Sequence, residues 1–180
     1  MIAEVIVDVP ANQTDRPFDY LIPEHLENVI QPGMRVIVPF GPRKVQGFVT
    51  ALKDKSSFPK LKAIIEPMDL YPVLNEELLK LGDWLSEHVL SFKISAYQVM
   101  LPPALKAKYE KKLVLGENET AGSLPLPIRF LFENGRSCPW DHNVDKFLPL
   151  IQKEVAKGTI EVVYEVKKRI GKKKKKFYSA

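Results

Sequence analysis

Short apolar runs separated by proline and glycine fill the first 70 residues. The first run places Ala3, Val5, Val7 and Val9 on one face, the period of two that is typical of a half-buried strand. Pro10 ends the run because proline has no amide hydrogen to donate to a neighbouring strand. Four further runs follow, at residues 18–22, 35–39, 45–51 and 61–66. Five short strands at this spacing predict a small, barrel-like β domain.

A helix is predicted after the strands. Asn75 suits its N-cap, and Glu76 and Glu77 suit the positive end of a helix dipole. Apolar residues at helical spacing predict one buried stripe, made of Leu74, Leu78, Leu81, Leu85, Val89 and Phe92. We expect Trp84 to pack on the strands beside this stripe. A short helix over 95–100 stops at Pro102, which predicts a first domain of residues 1–105.

A polar segment, residues 106–123, reads as a linker, in which a short strand at 112–115 remains an open alternative. Beyond it, residues 124–180 suggest a short helix near 128–132 and two helices at about 139–147 and 149–157. Pro149 separates these two because proline fits the first turn of a helix, and Gly158 suits a C-terminal stop. A strand over 159–166 and a returning strand over 172–178 complete the order of a winged helix. The predicted fold class is therefore α+β, mainly β, with an N-terminal barrel-like domain and a winged-helix domain.

Composition narrows the class of protein and the cellular compartment that the chain suits. The chain has 180 residues, of which 45% are hydrophobic and 27% are charged, as in ordinary soluble domains. It has no apolar run of membrane-spanning length and no signal-like N-terminus, and its single cysteine, Cys138, allows no internal disulfide. We expect a cytoplasmic protein without a membrane partner.

The net charge of +5 is concentrated near the C-terminus. Residues 166–180 hold eight basic residues and no acidic one. Such a run attracts polyanions, nucleic acid first, by releasing their condensed counterions. A basic tail that is merely solvated is the equal alternative.

Catalytic signatures are weak. No phosphate-binding GxxxxGK[ST] loop and no GxSxG nucleophile motif occurs. Cys138 and His142 are four residues apart, but two ligands do not make a zinc site. The sequence favours binding over catalysis, so we expect neither an enzyme nor a bound metal in this chain.

Several motifs resemble one family. Residues 17–23 (PFDYLIP), 32–41 (PGMRVIVPFG), 46–49 (QGFV) and 61–66 (LKAIIE) are similar to its successive strands, and 101–105 (LPPAL) to the end of its first domain. The family is PriA, the replication-restart helicases also called primosomal protein N′. The match is strong over residues 1–105, and the remainder agrees in order and length.

The resemblance implies that the chain is the N-terminal part of a longer, 3′-to-5′ ATP-dependent DNA helicase of the primosome. ATP, Mg²⁺ and zinc are then expected in the remainder, and no cofactor in this part. The implied partners are DNA forks with their 3′ ends, single strands and duplex arms. Single-stranded-DNA-binding protein and primosome proteins are further implied partners.

The resemblance also implies a site for the 3′-terminal nucleotide, made of Phe18, Asp19, Gly41 and Lys62. We expect Asp19 to accept a hydrogen bond from the 3′ hydroxyl and Lys62 to neutralise the preceding phosphate. Phe18 would pack on the terminal base or sugar, and Gly41 would let the main chain approach it. Each residue has an ordinary alternative: Phe18 in the core, Asp19 and Gly41 in turns, and Lys62 solvated on a strand.

Other basic residues are candidates for contacts with phosphates. Arg35, Arg43 and Lys44 flank the turn at Gly41. The candidates in the second unit are Lys153, Lys157, Lys167, Lys168, Arg169, Lys172, Lys173, Lys174, Lys175 and Lys176. The helix over 149–157 has few of them, so we expect contacts with backbone phosphates from the wing rather than reading of bases.

Two other functions remain open on composition alone. A small barrel with a basic unit also suits an RNA- or ribosome-associated module, and a protein-interaction scaffold would leave the basic tail solvated. Dependence on a free 3′ hydroxyl distinguishes the first alternative, and dependence on salt distinguishes the second.

Replacing all of Lys172–Lys176 with glutamine tests the role of the basic run. Five fewer cations should weaken binding to duplex DNA and flatten its salt dependence, while the preference between strand ends stays unchanged. Fluorescence anisotropy with duplex and single-stranded probes at several salt concentrations measures both. Unaltered duplex affinity would mean that the run is only solvated.

Overall fold

The computed structural model describes residues 1–102, 105 and 109–166. The protein is α+β. Its first sheet has six strands in the order β5-β2-β1-β4-β3-β6. These strands are β1 (Ile2–Val7), β2 (Phe18–Leu21), β3 (Arg35–Phe40), β4 (Arg43–Lys53), β5 (Lys62–Ala63) and β6 (Glu66–Pro67).

Alternation in β1 identifies the face of the sheet that lines the main core; on the opposite face, Ile6 is buried in a separate core with residues of the helical region. Ala3, Val5 and Val7 are fully buried and belong to the main core, and Val9 packs against it. β1 pairs antiparallel with both β2 and β4, and a register shift between Glu4 and Val5 bends it. The predicted apolar face is therefore confirmed.

One short segment joins the two edges of this sheet. β5 pairs with β2, while β6 pairs with β3 at the far end of the strand order. Only Ile64 and Ile65 separate β5 from β6, so the two edges must lie close together. The sheet is consequently curled into a half-barrel, in agreement with the barrel-like prediction.

Two helices, α1 (Glu76–His88) and α2 (Lys93–Met100), pack beside the half-barrel. Asn75 is the N-cap of α1 and accepts a hydrogen bond from the Leu78 amide, as expected. The predicted buried stripe is wrong in part, because Leu81 and Val89 are exposed and Trp84 is 52% exposed, stacked on His88 instead of the strands.

The reason for this difference is the packing between α1 and α2. The buried residues of α1 are Leu79, Gly82 and Ser86. A Cβ atom at Gly82 would lie 2.4 Å from the Tyr97 ring of α2, so only glycine permits this close approach. Steric fit at Gly82 therefore selects the buried face, which hydrophobicity alone does not reveal.

The second unit contains a three-stranded antiparallel sheet in the order β8-β7-β9. Its elements are β7 (Tyr109–Leu115), α3 (Leu126–Arg129), β8 (Ser137–Pro139), α4 (His142–Asp145), α5 (Leu148–Lys157) and β9 (Ile160–Val166). Pro149 lies in the first turn of α5, and Gly158 ends it in the left-handed conformation, as predicted.

Two expectations for this unit differ from the structure. Residues 109–115 form the middle strand, because Leu113 and Leu115 are buried in the second core. The alternative of a strand at 112–115 is therefore confirmed, and the linker assignment is wrong for these residues. The winged helix is not supported: within the described residues, β9 pairs with β7, a strand that precedes the helices. The expected returning strand at 172–178 lies outside the described residues.

The two units contact each other closely. Leu148 of α5 is fully buried in the main core of the half-barrel. Gln152 donates to the Leu70 carbonyl at 2.6 Å, and the Tyr71 hydroxyl donates to the Gln152 carbonyl at 3.2 Å. Among the described helices, none is long and apolar enough to cross a membrane.

A buried ion pair joins β3 to the chain beyond β6. The Arg35 guanidinium donates to both Asp69 carboxylate oxygens, at 2.9 and 2.6 Å, and also to the Leu105 carbonyl at 2.6 Å. Both side chains are almost inaccessible to solvent. Two parallel hydrogen bonds to the carboxylate and a third to the Leu105 carbonyl fix the geometry of the pair as well as its charge.

Asp69→Ala should lower the free energy of unfolding by about 3–5 kcal/mol, because it leaves the Arg35 charge buried and unpaired. Urea denaturation followed by circular dichroism measures the change. The matched control is Lys80→Ala, which breaks an exposed pair with Glu76 and should leave stability almost unchanged. Equal stability of the two variants would contradict the structural role of the buried pair.

Candidate nucleic-acid interface

A hollow of about 320 Å³ opens at the edge of the half-barrel. β5 pairs only with Tyr20 and Leu21, which leaves the edge of β2 open at Phe18 and Asp19. The hollow extends from that edge to the turn between β3 and β4. Its lining residues are Arg16, Pro17, Phe18, Asp19, Tyr20, Pro39, Phe40, Gly41, Phe58, Lys60, Leu61 and Lys62.

All four residues predicted for the 3′ end line this one hollow. Phe18 and Asp19 come from β2, Gly41 from the β3–β4 turn and Lys62 from β5. Lys62 reaches the hollow because β5 pairs in parallel with β2, with Lys62 opposite Tyr20. Residues more than 40 positions apart in the sequence are thereby brought together.

Aromatic rings form one part of the lining. Phe18 and Phe40 meet edge to face, with ring centroids 5.3 Å apart, and the Arg16 guanidinium lies 5.0 Å from the Phe18 centroid. Phe18 and Phe40 also pack against the main core, so the core alternative for Phe18 holds alongside its place in the hollow. Phe58 is 56% exposed and offers a ring for stacking.

Among the described residues that line the hollow, Asp19 is the one acidic residue, and its side chain is only 5% exposed. Lys53 pairs with its Oδ1 at 2.8 Å, and the Ser56 hydroxyl donates to its Oδ2. Burial alone would raise the pKa of Asp19, but the hydrogen bonds from Lys53 and Ser56 and the Lys53 charge outweigh it. The pKa therefore lies below its usual range, and Asp19 is ionised at neutral pH.

The rim of the hollow is cationic. Arg16, Lys60 and Lys62 are all exposed there. Three cations around one carboxylate give the hollow a net positive charge, which suits phosphate groups close to a hydrogen-bonding hydroxyl.

Gly41 occupies the first position of the two-residue turn between Phe40 and Arg43. Its φ is +58°, which glycine adopts without the strain that a side chain would cause. A Cβ atom built at Gly41 has no neighbour within 4 Å, so the main chain is open on this side. The turn alternative and the open approach both apply to this residue.

Sequence reasoning missed Lys53 and Ser56, which hold Asp19, and also Arg16, Phe58 and Lys60 in the lining. The alternation of Lys60 and Lys62 beside Phe58 was a usable signal of a basic and aromatic surface. Nothing in the sequence pairs Lys53 with Asp19, because that contact depends on strand register.

The residues predicted to contact backbone phosphates differ in their exposure to solvent. Arg35 is wrong for this role, because its guanidinium is buried and engaged by Asp69 and Leu105. Arg43, Lys44 and Lys153 are exposed, as such contacts require. Lys157 is mostly exposed and pairs with Glu154 at 2.7 Å. The remaining candidates lie outside the described residues: Lys167, Lys168, Arg169, Lys172, Lys173, Lys174, Lys175 and Lys176.

A curled sheet with aromatic rings and cations around an edge hollow is an arrangement that suits binding of single-stranded nucleic acid. Similarity to a known family specifies which kind of nucleic-acid-binding domain this is. The family model for the 3′DNA-binding domain (3′BD) of PriA matches residues 4–102, more than half of the chain. The chain belongs to this family, which confirms the prediction from its motifs.

Curated relatives of the chain support the same family. The chain is 51% identical to the replication restart protein PriA of Bacillus subtilis over 174 residues, which is 95% of this chain and 21% of that protein. It is 36% identical to the Haemophilus influenzae protein of the same name over 119 residues, covering 65% and 14% of the two chains. The chain thus spans about a fifth, or less, of the length of these relatives.

Asp19→Asn tests the ionised state of Asp19 through the pH dependence of stability. Because the folded pKa is depressed below 3.8, the Asp19 contribution is present above that pH and is lost as pH falls through the folded value. The wild type should therefore have a higher free energy of unfolding than Asp19→Asn at pH 6. This difference, called the gap below, should shrink towards pH 3. Urea denaturation of both proteins across this range measures the gap, and a gap independent of pH would contradict the assignment.

Proposed function

We propose that the edge hollow binds the 3′-terminal nucleotide of a DNA strand. The observation that carries the proposal is the convergence of Phe18, Asp19, Gly41 and Lys62, from three separate elements, on one hollow. The described lining of this hollow holds one carboxylate and a cationic rim. Membership in the 3′DNA-binding domain family supports DNA as the ligand.

Asp19 supplies the selectivity for the end of the strand. An ionised carboxylate accepts hydrogen bonds and cannot donate them, so it suits the hydroxyl of a free 3′ end. The same negative charge repels a 3′-terminal phosphate. An internal nucleotide has a phosphodiester at its 3′ oxygen and is disfavoured for the same reason.

The cations of the rim supply affinity. Lys62, with Lys60 and Arg16 nearby, neutralises the phosphodiester that precedes the terminal nucleotide. Contacts with phosphates carry no information on base identity. They therefore suit a protein that must act on ends of any sequence.

The aromatic lining and the open main chain accommodate the nucleotide itself. Every base has an apolar face, so stacking on Phe18 or Phe58 tolerates any terminal base. At Gly41 the turn leaves room for the sugar to approach the backbone, since no side chain projects there.

We further propose that the chain serves a replication restart protein, as its relatives are named. In that setting the hollow would hold the 3′ end of the nascent leading strand at a fork in the cytoplasm. Unwinding that requires ATP, and any contact with primosome proteins or single-stranded-DNA-binding protein, would belong to the whole protein. The exposed cations Arg43, Lys44 and Lys153, together with the basic run near the C-terminus, would contact duplex arms.

Binding of short single strands to the 180-residue chain tests the role of Asp19. A strand ending in a 3′ hydroxyl should bind about tenfold more tightly than the same strand ending in a 3′ phosphate, given one hydrogen bond to a charged group. Asp19→Ala should abolish this preference. Fluorescence anisotropy measures both affinities, and equal binding of the two strands by the wild type would overturn the proposal.

Lys62→Ala should weaken the binding of both strands, the one that ends in a 3′ hydroxyl and the one that ends in a 3′ phosphate, without changing the ratio of their affinities. At 0.1 M salt the loss should be about fivefold, because each phosphate contact on a single strand contributes about 0.7 to the salt slope. Lys55→Ala is the matched control, since Lys55 is exposed and does not line the hollow. A similar loss in both variants would reduce the role of Lys62 to general charge.

A further inference from the structure

Two carboxylates face each other beside the hollow. Glu4 of β1 is directly opposite Asp19 of β2 in the antiparallel register. Like charges at such a position repel each other and destabilise a strand pair. The ammonium group of Lys53, from β4, lies 2.8 Å from Oε1 of Glu4 and 2.8 Å from Oδ1 of Asp19.

We propose that Lys53 is a positioning residue for recognition of the 3′ end: by clamping Asp19 Oδ1 against Glu4, it keeps the carboxylate charged and oriented towards the terminal hydroxyl. This inference rests on the proposed function of the hollow. It adds a specificity-determining residue that does not line the hollow.

The hydrogen bonds of Asp19 show how orientation is set. An ionised carboxylate has about four acceptor positions on its two oxygens. Lys53 takes a position on Oδ1 and the Ser56 hydroxyl takes one on Oδ2, which fixes the plane of the group. The positions left over are those that an entering hydroxyl can use.

A purely structural role for Lys53 makes a different prediction. If Lys53 only relieved repulsion between Glu4 and Asp19, removing the Glu4 charge would make Lys53 dispensable. If Lys53 positions Asp19, removing Glu4 cannot restore what the loss of Lys53 takes away. The two roles are therefore separable by combining substitutions.

The protonation state of Asp19 gives a second way to distinguish a positioning role of Lys53 from a purely structural one. Among the described residues, the charged groups around Asp19 are Glu4 on β1, Lys53 on β4 and the three cations that line the hollow, Arg16, Lys60 and Lys62. Without Lys53, the burial of Asp19 and the charge of Glu4 both favour its protonated form. Recognition of a hydroxyl by Asp19 should then fail at a higher pH than in the wild type.

The experiment compares strands ending in a 3′ hydroxyl with strands ending in a 2′,3′-dideoxynucleotide, which has no hydroxyl and no titrating group at its end. The ratio of the two affinities cancels any general loss of charge. Lys53→Met should reduce an approximately tenfold ratio to near one, and Lys53→Arg should retain most of it. Lys55→Met, with the same charge change on an exposed residue, should leave the ratio unaltered.

The double variant Glu4→Gln/Lys53→Met lacks both the Lys53 contact with Asp19 and the repulsion between Glu4 and Asp19. Because the repulsion is absent, it also provides a folded background if Lys53→Met alone is unstable. Its ratio should stay near one at pH 7, whereas Glu4→Gln alone should keep the wild-type ratio. Between pH 4 and 7 the wild-type ratio should be nearly constant, and any ratio that remains in Lys53→Met should decline as pH falls.

Each outcome decides the proposal. A wild-type ratio in Lys53→Met, or recovery of that ratio in the double variant, overturns the positioning role while leaving the hollow as the site. A ratio of one in the wild type overturns the proposed function and this inference with it. Loss in Lys53→Met, persistence in the double variant and rescue by arginine together support the inference.

Discussion

The pairing of one short segment with both edges of the first sheet shapes the candidate site. β5 and β6 are each only two residues long, yet they bond to strands at opposite ends of the sheet. Each edge gains only a short stretch of backbone hydrogen bonds, but because one segment supplies both, the sheet must curl. Without that closure, Lys62 and Gly41 would belong to distant edges of a flat sheet and no hollow would form between them.

Electrostatics in this region follows from the order and register of the strands. β2 and β4 both flank β1, which places Asp19 near Lys53; together with Ser56, Lys53 keeps Asp19 ionised against the cost of burial. A second ion pair, between Arg35 and Asp69, anchors the chain just after β6 and reaches Leu105. One buried carboxylate is thus engaged in fixing the fold, whereas the other lines a hollow open to solvent.

Local patterns predicted much of the fold. Alternation located β1 to β4, Asn75 marked the start of α1, and Pro149 and Gly158 marked the limits of α5, because each of these depends on residues close together in sequence. Prediction failed where distant contacts decide. Steric fit between Gly82 and Tyr97 chose the buried face of α1, and burial of Leu113 placed 109–115 in a sheet instead of a linker. The motif resemblance named four residues that all line the hollow. Arg35 was a candidate only because it is a basic residue near the Gly41 turn, and no local pattern reveals its burial.

The amino-acid sequence by itself determined most strands of the first sheet, the start of α1, the limits of α5, the uneven distribution of charge and the family, since these depend on residues within a few positions of each other. Tertiary structure alone decided which charges meet. Strand register set Asp19 opposite Glu4 and within reach of Lys53, and it removed Arg35 from the surface. Coulomb interactions depend on separation in space, and separation in space is fixed only when the sheet has curled and its strands are in register.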